Sequence, residues 1–460
     1  MNKIFYNFDH KYSKYKRYMK RILSIITLFA LSVQMLSAQE YSSPEYVSLG
    51  RELPRTKTVA YPTAAEAQAL GAGAVSSKYL RPITKWKRTE EEDAVVFTSK
   101  YVIPFVWLSR LAILYVDEAS GAYEVLINGK KVGYTANAFT PAEFNVTKVS
   151  KEEGNTISIR ILKEHWSRKM ECFTDNTEPR VGDVYITSQP TIRVRNVVHR
   201  TTVDMKSDVA SVEVGMVVKT ESLNDKKARI HYELIAPDTT VVTHGYKDIT
   251  LGMRGEDTVK FVTNIPYVYT WCADTPIRYR LNIRTQIEGR DQEFQSHMLG
   301  FRTVECDDEG NFHINGIKTE LFYRDFDPLT ITEKDIIAAR VLKYNALRFD
   351  MGAVPQNVYR MCDSLGMYVI AQVPINTRSS GVSRRVGGNP SNDPKWKNAF
   401  LDRVETSYRT TCGQACVIGY VMAEESANGI NLYESYLRLK SLEKTRPVLY
   451  IEAGGEWNSD

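Results

Sequence analysis

Between Glu320 and Ile451 the chain alternates, without a break in the pattern, between short β-type runs and longer stretches whose apolar residues recur at helical spacing. The β-type runs are Glu320 to Tyr323, Ala346 to Phe349, Tyr368 to Gln372, Val417 to Met422 and Pro447 to Ile451. The helical stretches between them are Ile331 to Lys343, Pro355 to Leu365, Lys395 to Arg409 and Asn431 to Leu442. Strands separated in this way cannot form hairpins, so they must run parallel with helical crossovers. The count is four βα units and a fifth strand, short of the eight that close a (β/α)8 TIM barrel. Such a sheet has open edges and an uncovered inner face. The expectation is therefore that the barrel half docks on the rest of the chain, is covered by a partner chain or oligomer, or is poorly stable.

Upstream the texture differs. From about Gln39 to Pro190 the strand signals are short and alternate with period two, as in Val95 to Ile103, Tyr123 to Ile127 and Thr156 to Ile161, which predicts a β-sandwich. Asn128-Gly129 separates Glu124 to Ile127 from Lys131 to Tyr134, and both residue types tolerate the positive φ of a type I′ hairpin turn. A second run of strands, about Thr191 to Arg302, has the length and spacing of an immunoglobulin-like sandwich. The expected layout is thus 39–190, 191–302 and 303–460, the last an incomplete barrel, preceded by a separate segment 1–38.

That first segment sets seven Lys and Arg residues ahead of the apolar run Ile22 to Val33 and ends Leu36-Ser37-Ala38, the pattern of a secretory signal peptide cleaved near Ala38. The expected location is outside the cytoplasm, periplasmic or secreted. The leader also accounts for the apparent basicity: of 60 Lys and Arg and 55 Asp and Glu, 53 basic and 54 acidic residues remain after it. No nucleic-acid partner is indicated. The six cysteines are scattered and show no CxxC pair, so neither a zinc site nor a disulfide framework is expected; Cys412 and Cys416 read as small, semi-buried side chains, with a bridge left open. No metal or other cofactor is called for.

Several phrases together resemble glycoside hydrolase family 2, the β-galactosidase type. Val125-Leu126-Ile127-Asn128-Gly129-Lys130-Lys131-Val132-Gly133 and Phe139 to Thr147 are similar to the family's jelly-roll, galactose-binding-like domain. Trp271, Pro276 and Tyr279 match the end of its immunoglobulin-like domain. Gly300 to Glu305, Asn315-Gly316, Asn345-Ala346-Leu347-Arg348, Cys362 to Ile370 and Thr445 to Val448 match phrases that open and run through its barrel. The resemblance covers nearly the whole chain after the leader, in order.

What the resemblance implies is retaining hydrolysis of an O-glycosidic bond. One carboxyl group protonates the leaving oxygen while a second, about 5 Å away, attacks the anomeric carbon. The family's acid/base ends the fourth strand in a phrase close to Trp-Ser-Leu-Gly-Asn-Glu-Ser. Here Tyr420-Val421-Met422-Ala423-Glu424-Glu425-Ser426 sets Glu425 at that position and Glu424 where the family has asparagine. A register with Glu424 as the acid, and a reading of the pair as a solvated strand-end doublet, both stand beside it. Glu424, Arg348, Gln372 and Asp327 take substrate-contact positions by the same resemblance, although Gln372 replaces a Glu and Asp327 a His. Met351 and Arg378 also stand where the family shows His, and Gly413-Gln414-Ala415-Cys416 replaces Asn-His-Pro-Ser. The nucleophile of the family lies on the seventh strand, whereas the sequence continues only 35 residues beyond Glu425. Using Glu452 or Glu456 instead requires a geometry the family does not use, so this chain alone is expected to be inactive.

Two functions follow as expectations: a β-galactosidase-like hydrolase of carbohydrate metabolism acting on a β-galactoside-type glycan when complete, or a non-catalytic carbohydrate-binding or scaffold protein. Trp166, Trp271 and Tyr420 are sugar-stacking candidates by type, with Trp271 read as core of the second sandwich and Tyr420 as barrel core. His165 and Asp175 occupy a loop that in active relatives reaches toward the sugar. The Asn145-Val146-Thr147 sequon reads as a strand-end turn.

Overall fold

A computed structural model describes residues 42–460 except 75, 175, 176 and 386. The segment read as a signal peptide and the loop residue Asp175 lie outside the described residues.

The N-terminal unit is a sandwich of a six-stranded and a four-stranded sheet, both antiparallel. The strand Asn155–Leu162 shows why: its odd-numbered isoleucines, Ile157, Ile159 and Ile161, are buried, while its even positions stay partly open. Each fully buried isoleucine contributes about 1.5–3 kcal/mol of hydrophobic stabilisation. At the Asn128-Gly129 hairpin φ is 52° and 77°, the two consecutive left-handed residues a type I′ turn demands. The second unit is an immunoglobulin-like sandwich in which the sheet of Ile192–Asp204, Val209–Thr220 and Glu256–Pro266 faces a four-stranded antiparallel sheet. Its core includes Val212, Val214, Met216, Leu234 and Leu281.

A short three-stranded meander, Val304–Cys306, Phe312–Ile314 and Ile317–Thr319, leads into the barrel. The barrel's elements are β1 (Tyr323–Phe326), α1 (Glu333–Val341), β2 (Ala346–Phe349), α2 (Gln356–Leu365), β3 (Tyr368–Gln372), α3 (Lys397–Thr411), β4 (Val417–Val421), α4 (Ile430–Leu442) and β5 (Val448–Leu449). All five strands are parallel in the order β1-β2-β3-β4-β5, as an unbroken series of right-handed crossovers requires. Helix α1 opens on a reciprocal capping box between Thr332 and Asp335.

The first strand begins at Tyr323 rather than Glu320. The Asn345 side chain explains the shift. Its Nδ2 donates to the Glu320 carbonyl at 2.8 Å and its Oδ1 accepts from the Phe322 amide at 2.8 Å. A side chain thus does the pairing that strand β2 takes up only from Tyr323 onward.

One face of the sheet packs on the helices through Leu347, Phe349, Val369, Ala371, Ile418 and Tyr420, all buried. The other carries Tyr323 and Arg348, both exposed, and β1 and β5 are its edges. The barrel half docks on both sandwiches. Arg51 hydrogen-bonds Asp402 of α3, Arg403 pairs with Glu171, and Arg302 donates to the Val417 carbonyl at 2.6 Å. Trp271 is fully buried, but it packs with the barrel's core cluster rather than in the interior of the second sandwich as its sequence position suggests. The reason is that it precedes the last two strands of that sandwich and faces the helix α2 side, where its Nε1 donates to the Asp363 carbonyl at 3.0 Å. The cysteines among the described residues are free thiols, Cys412 half-buried and Cys416 buried.

The link from α4 to β5 is tied by Arg446, whose Nε donates to Glu443 Oε2 at 2.8 Å and whose guanidinium lies 5.1 Å from the Tyr420 ring centroid. Burial raises the Glu443 carboxyl, but the Arg446 charge and the Thr445 and Arg446 amides outweigh it and leave it at about 2, below its ordinary 4.5. A carboxyl depressed on folding stabilises fully above its unfolded value, and that stability is lost as pH falls through the folded value. At about 1.4 kcal/mol per pKa unit the contribution is on the order of 3 kcal/mol. The wild type is expected to lose more stability than Glu443→Gln in denaturation series taken between about pH 5 and pH 2. Parallel losses in the two proteins would contradict this.

Candidate active site

The C-terminal ends of the strands, where barrel active sites are built, bring Glu424, Glu425, Gln372, Asn376, Arg378 and Glu452 together. Strand β4 ends at Val421, and the chain turns sharply so that Glu425 adopts a left-handed φ of 46°. For a residue with a β-carbon that conformation costs on the order of 1 kcal/mol and needs support from its surroundings. The support comes from the ends of both neighbouring strands: the Glu425 amide donates to Glu452 Oε1, past β5, at 2.9 Å, and the Glu424 amide donates to the Ile375 carbonyl, past β3, at 3.0 Å.

The two neighbouring carboxylates have opposite environments. Glu425 is exposed, and its Oε2 accepts from Asn376 Nδ2 at 2.8 Å and from an Arg378 guanidinium nitrogen at 3.1 Å. The Asn376 hydrogen bond first, then Arg378, holds the Glu425 carboxyl below its ordinary value, so it stays ionised. Glu424 is half-buried and accepts from Gln372 Nε2 at 2.9 Å. Burial first, then the charges of Glu452 and Glu425, pushes it up, with Arg348 pulling the other way. Of the two, Glu424 is therefore the one whose surroundings favour the protonated form.

Arg348 makes a bidentate ion pair with Asp325 at 2.6 and 2.9 Å, and both are well exposed on the inner face of the sheet. Beside them Tyr323, Ile370, Gln372 and Val421 help line a cavity of about 160 Å³. Asp327 does not join the group. Its carboxylate accepts from the Leu329 amide at 2.9 Å and from Thr330 Oγ1 at 3.2 Å, closing the turn after β1.

Asn376 is the residue that sequence reasoning passed over. It is buried, bridges Glu171 on one side and Glu424 on the other, and takes its amide hydrogen bond to the Met170 carbonyl at 2.9 Å. The only signal for it was a polar residue just past the end of β3. The aromatic candidates are structural. Tyr420 is buried; Trp166 meets Trp396 edge-on at 5.4 Å; His165 lies 2.8 Å from the Tyr134 hydroxyl and accepts from the Ser167 amide. Among the described residues no group of three or more His, Cys, Asp or Glu side chains is placed to hold a metal ion.

Comparisons with known proteins bear on this arrangement. Three family models match in succession: the sugar binding domain of glycosyl hydrolases family 2 over residues 29–191, a further family 2 model over 192–302, and the family 2 TIM barrel domain over 324–459. A β-galactosidase of Priestia megaterium is 26% identical over 422 residues, covering 87% of this chain and 39% of the relative. One from Staphylococcus xylosus is 26% identical over 357 residues, covering 73% and 33%. The chain thus spans well under half the length of these relatives. Among solved structures, a Bacteroides uniformis β-glucuronidase superposes with a TM-score of 0.68 at 18% identity over 78% of this chain and 46% of its own. A Dictyoglomus thermophilum β-D-glucuronidase does so with a TM-score of 0.65 at 16% identity over 82% and 73%.

Proposed function

Since the chain belongs to glycosyl hydrolase family 2, we propose that its barrel rim binds a β-galactoside-type glycan and that Glu424 supplies the proton for cleaving the glycosidic bond. The observation that carries the reading is the contrast within the Glu424–Glu425 pair: one carboxyl half-buried and raised, the other ionised and tied to Arg378. A general acid must hold its proton near neutral pH, which favours the raised group. Glu425, at the family's acid/base position, then acts as a fixed anion beside the sugar, with Gln372, Asn376 and Arg348 offering donors to hydroxyls. Retaining cleavage also needs a second carboxylate about 5 Å from the acid. Glu452, which accepts the Glu425 amide and whose charge acts on Glu424, is a carboxylate beside the pair, but using it as that second group requires a geometry the family does not use.

A second reading, glycan binding without turnover, is favoured by the Arg378–Glu425 ion pair, which opposes protonation at the position the family uses. Hydrolysis of nitrophenyl β-galactoside and calorimetric binding of galacto-oligosaccharides separate the two. If cleavage occurs, Glu424→Gln is expected to lower it by about 100-fold or more, as loss of a general acid does, and to leave binding within a few-fold. Binding with no cleavage in the wild type selects the second reading. Absence of both binding and cleavage overturns both.

A further inference from the structure

A cavity bordered by charged side chains lies away from the rim, where the two sandwiches and the barrel half meet. It measures about 410 Å³, and all three units line it: Lys57 and Gly73 from the first, Arg278 from the second, Arg360 and Asp363 from the third. Three cations therefore border one space. Among the described residues, none of them has a carboxylate within ion-pair distance or a side-chain hydrogen bond.

The acids that act on these cations from further away each have another partner. Asp117 accepts from the Tyr115 hydroxyl at 2.6 Å, and Asp183 from the Tyr185 hydroxyl at 2.8 Å. Asp363 accepts the Cys416 amide at 2.7 Å. Lys57 itself lies over the Tyr185 ring, 4.0 Å from its centroid, and burial together with the repulsion of Arg360 lowers its ammonium to about 8 against the pull of Asp117. The Arg360 Nε is buried with no hydrogen-bond acceptor. Its guanidinium also lies against the Gly73 backbone, so close that a β-carbon there would stand 3.1 Å from it. The two histidines on the wall, His199 and His297, are pushed by burial to about 4 and about 3, so neither adds charge at neutral pH. A half-buried guanidinium without an acceptor is unfavourable, and planar guanidinium donors match the geometry of phosphate, sulfate or carboxylate oxygens.

We propose that this three-way junction is a binding site for a small oxyanion, held by Lys57 and Arg360 with Arg278 on the adjoining wall, whose occupancy ties the units together. The shared chemistry is a compact group with at least two negatively charged oxygens; it comes from free phosphate or sulfate, or from the carboxylate of an acidic sugar. The site stands apart from the rim and does not depend on the glycoside reading. Because only the fully assembled chain presents all three cations, a bound anion stabilises that state by mass action.

Isothermal titration of the full chain with sodium phosphate, sodium sulfate and sodium glucuronate, at matched ionic strength, tests the idea. At least one anion is expected to bind saturably at one site per chain. The double variant Arg278→Gln/Arg360→Gln is expected to bind about tenfold or more weakly, whereas Arg229→Gln, on the surface of the second sandwich, binds as the wild type does. Phosphate or sulfate binding without glucuronate identifies a free oxyanion, and tighter glucuronate binding identifies a sugar acid; either supports the site. Failure of all three to bind the wild type, or equal binding by the double variant, overturns it. Should the double variant not fold, Lys57→Met carries the same comparison.

Discussion

Replacing Arg403 by alanine is expected to destabilise the protein by about 3–5 kcal/mol, the range for removing one partner of a buried ion pair. Arg403 and Glu171 have side chains only 2% and 1% exposed. The guanidinium pairs with Glu171 Oε1, donates to the Pro374 carbonyl at 2.7 Å and reaches the Ala136 carbonyl at 3.4 Å. One side chain of α3 thus joins the barrel to the segment that leaves the first sandwich. Removing it strands a carboxylate whose Oε2 already lacks a partner. Urea denaturation followed by tryptophan fluorescence measures the effect. Because the penalty lies in the orphaned charge rather than in the lost attraction, Arg403→Met/Glu171→Leu is expected to recover much of the loss. An unchanged midpoint for Arg403→Ala would refute the account. By contrast, Arg348→Ala, which removes an exposed pair with Asp325, is expected to leave the midpoint unchanged. The consequence reaches the rim as well: Glu171 bridges Asn376, and Asn376 holds Glu425.

Trp271→Ala is expected to cost a similar amount, about 3–5 kcal/mol, as large aromatic deletions in cores do. Its ring is fully buried, meets Tyr368 of β3 edge-on at 5.7 Å, and donates through Nε1 to the Asp363 carbonyl. The backbone around it is fixed too, since its amide donates to the Phe301 carbonyl at 2.7 Å and its carbonyl accepts from Asn315 Nδ2 at 3.1 Å. A cavity here opens between the second sandwich and the barrel, and neither unit can collapse alone to fill it. Trp271→Phe retains most of the packing and loses the hydrogen bond, so it is expected to fall between wild type and Trp271→Ala. Equal thermal midpoints for wild type and Trp271→Ala would show that the contact between units contributes little.

Much of the fold was legible because periodicity is a local property. The alternation after Cys306 dictates parallel strands, and the isoleucines of Asn155–Leu162 dictate which face of that strand is buried. Where the reading slipped, a side chain had entered the backbone's hydrogen bonding: Asn345 occupies the groups of Glu320 and Phe322, and no periodicity reports that. Trp271 slipped for a related reason, because burial was evident from its type but not which of two adjoining cores would receive it. At the site, the resemblance pointed to Glu425 and Gln372, and the structure brings both beside Glu424. Asp327 closes a local turn instead.

By itself the sequence determined the order of the three units, the direction of the strands and the presence of two adjacent carboxyl groups at the end of the fourth barrel strand. Each of these follows from neighbours along the chain. Only the tertiary structure decided which of the two carboxyls is raised and which lowered, and that three cations with no ion-pair partner among the described residues line one cavity. Those properties depend on burial and on charges that approach from Asn376, Arg378 and Glu452, or from all three units at once. Electrostatic energy varies with distance through space and with exclusion of water, and neither is written in residue order.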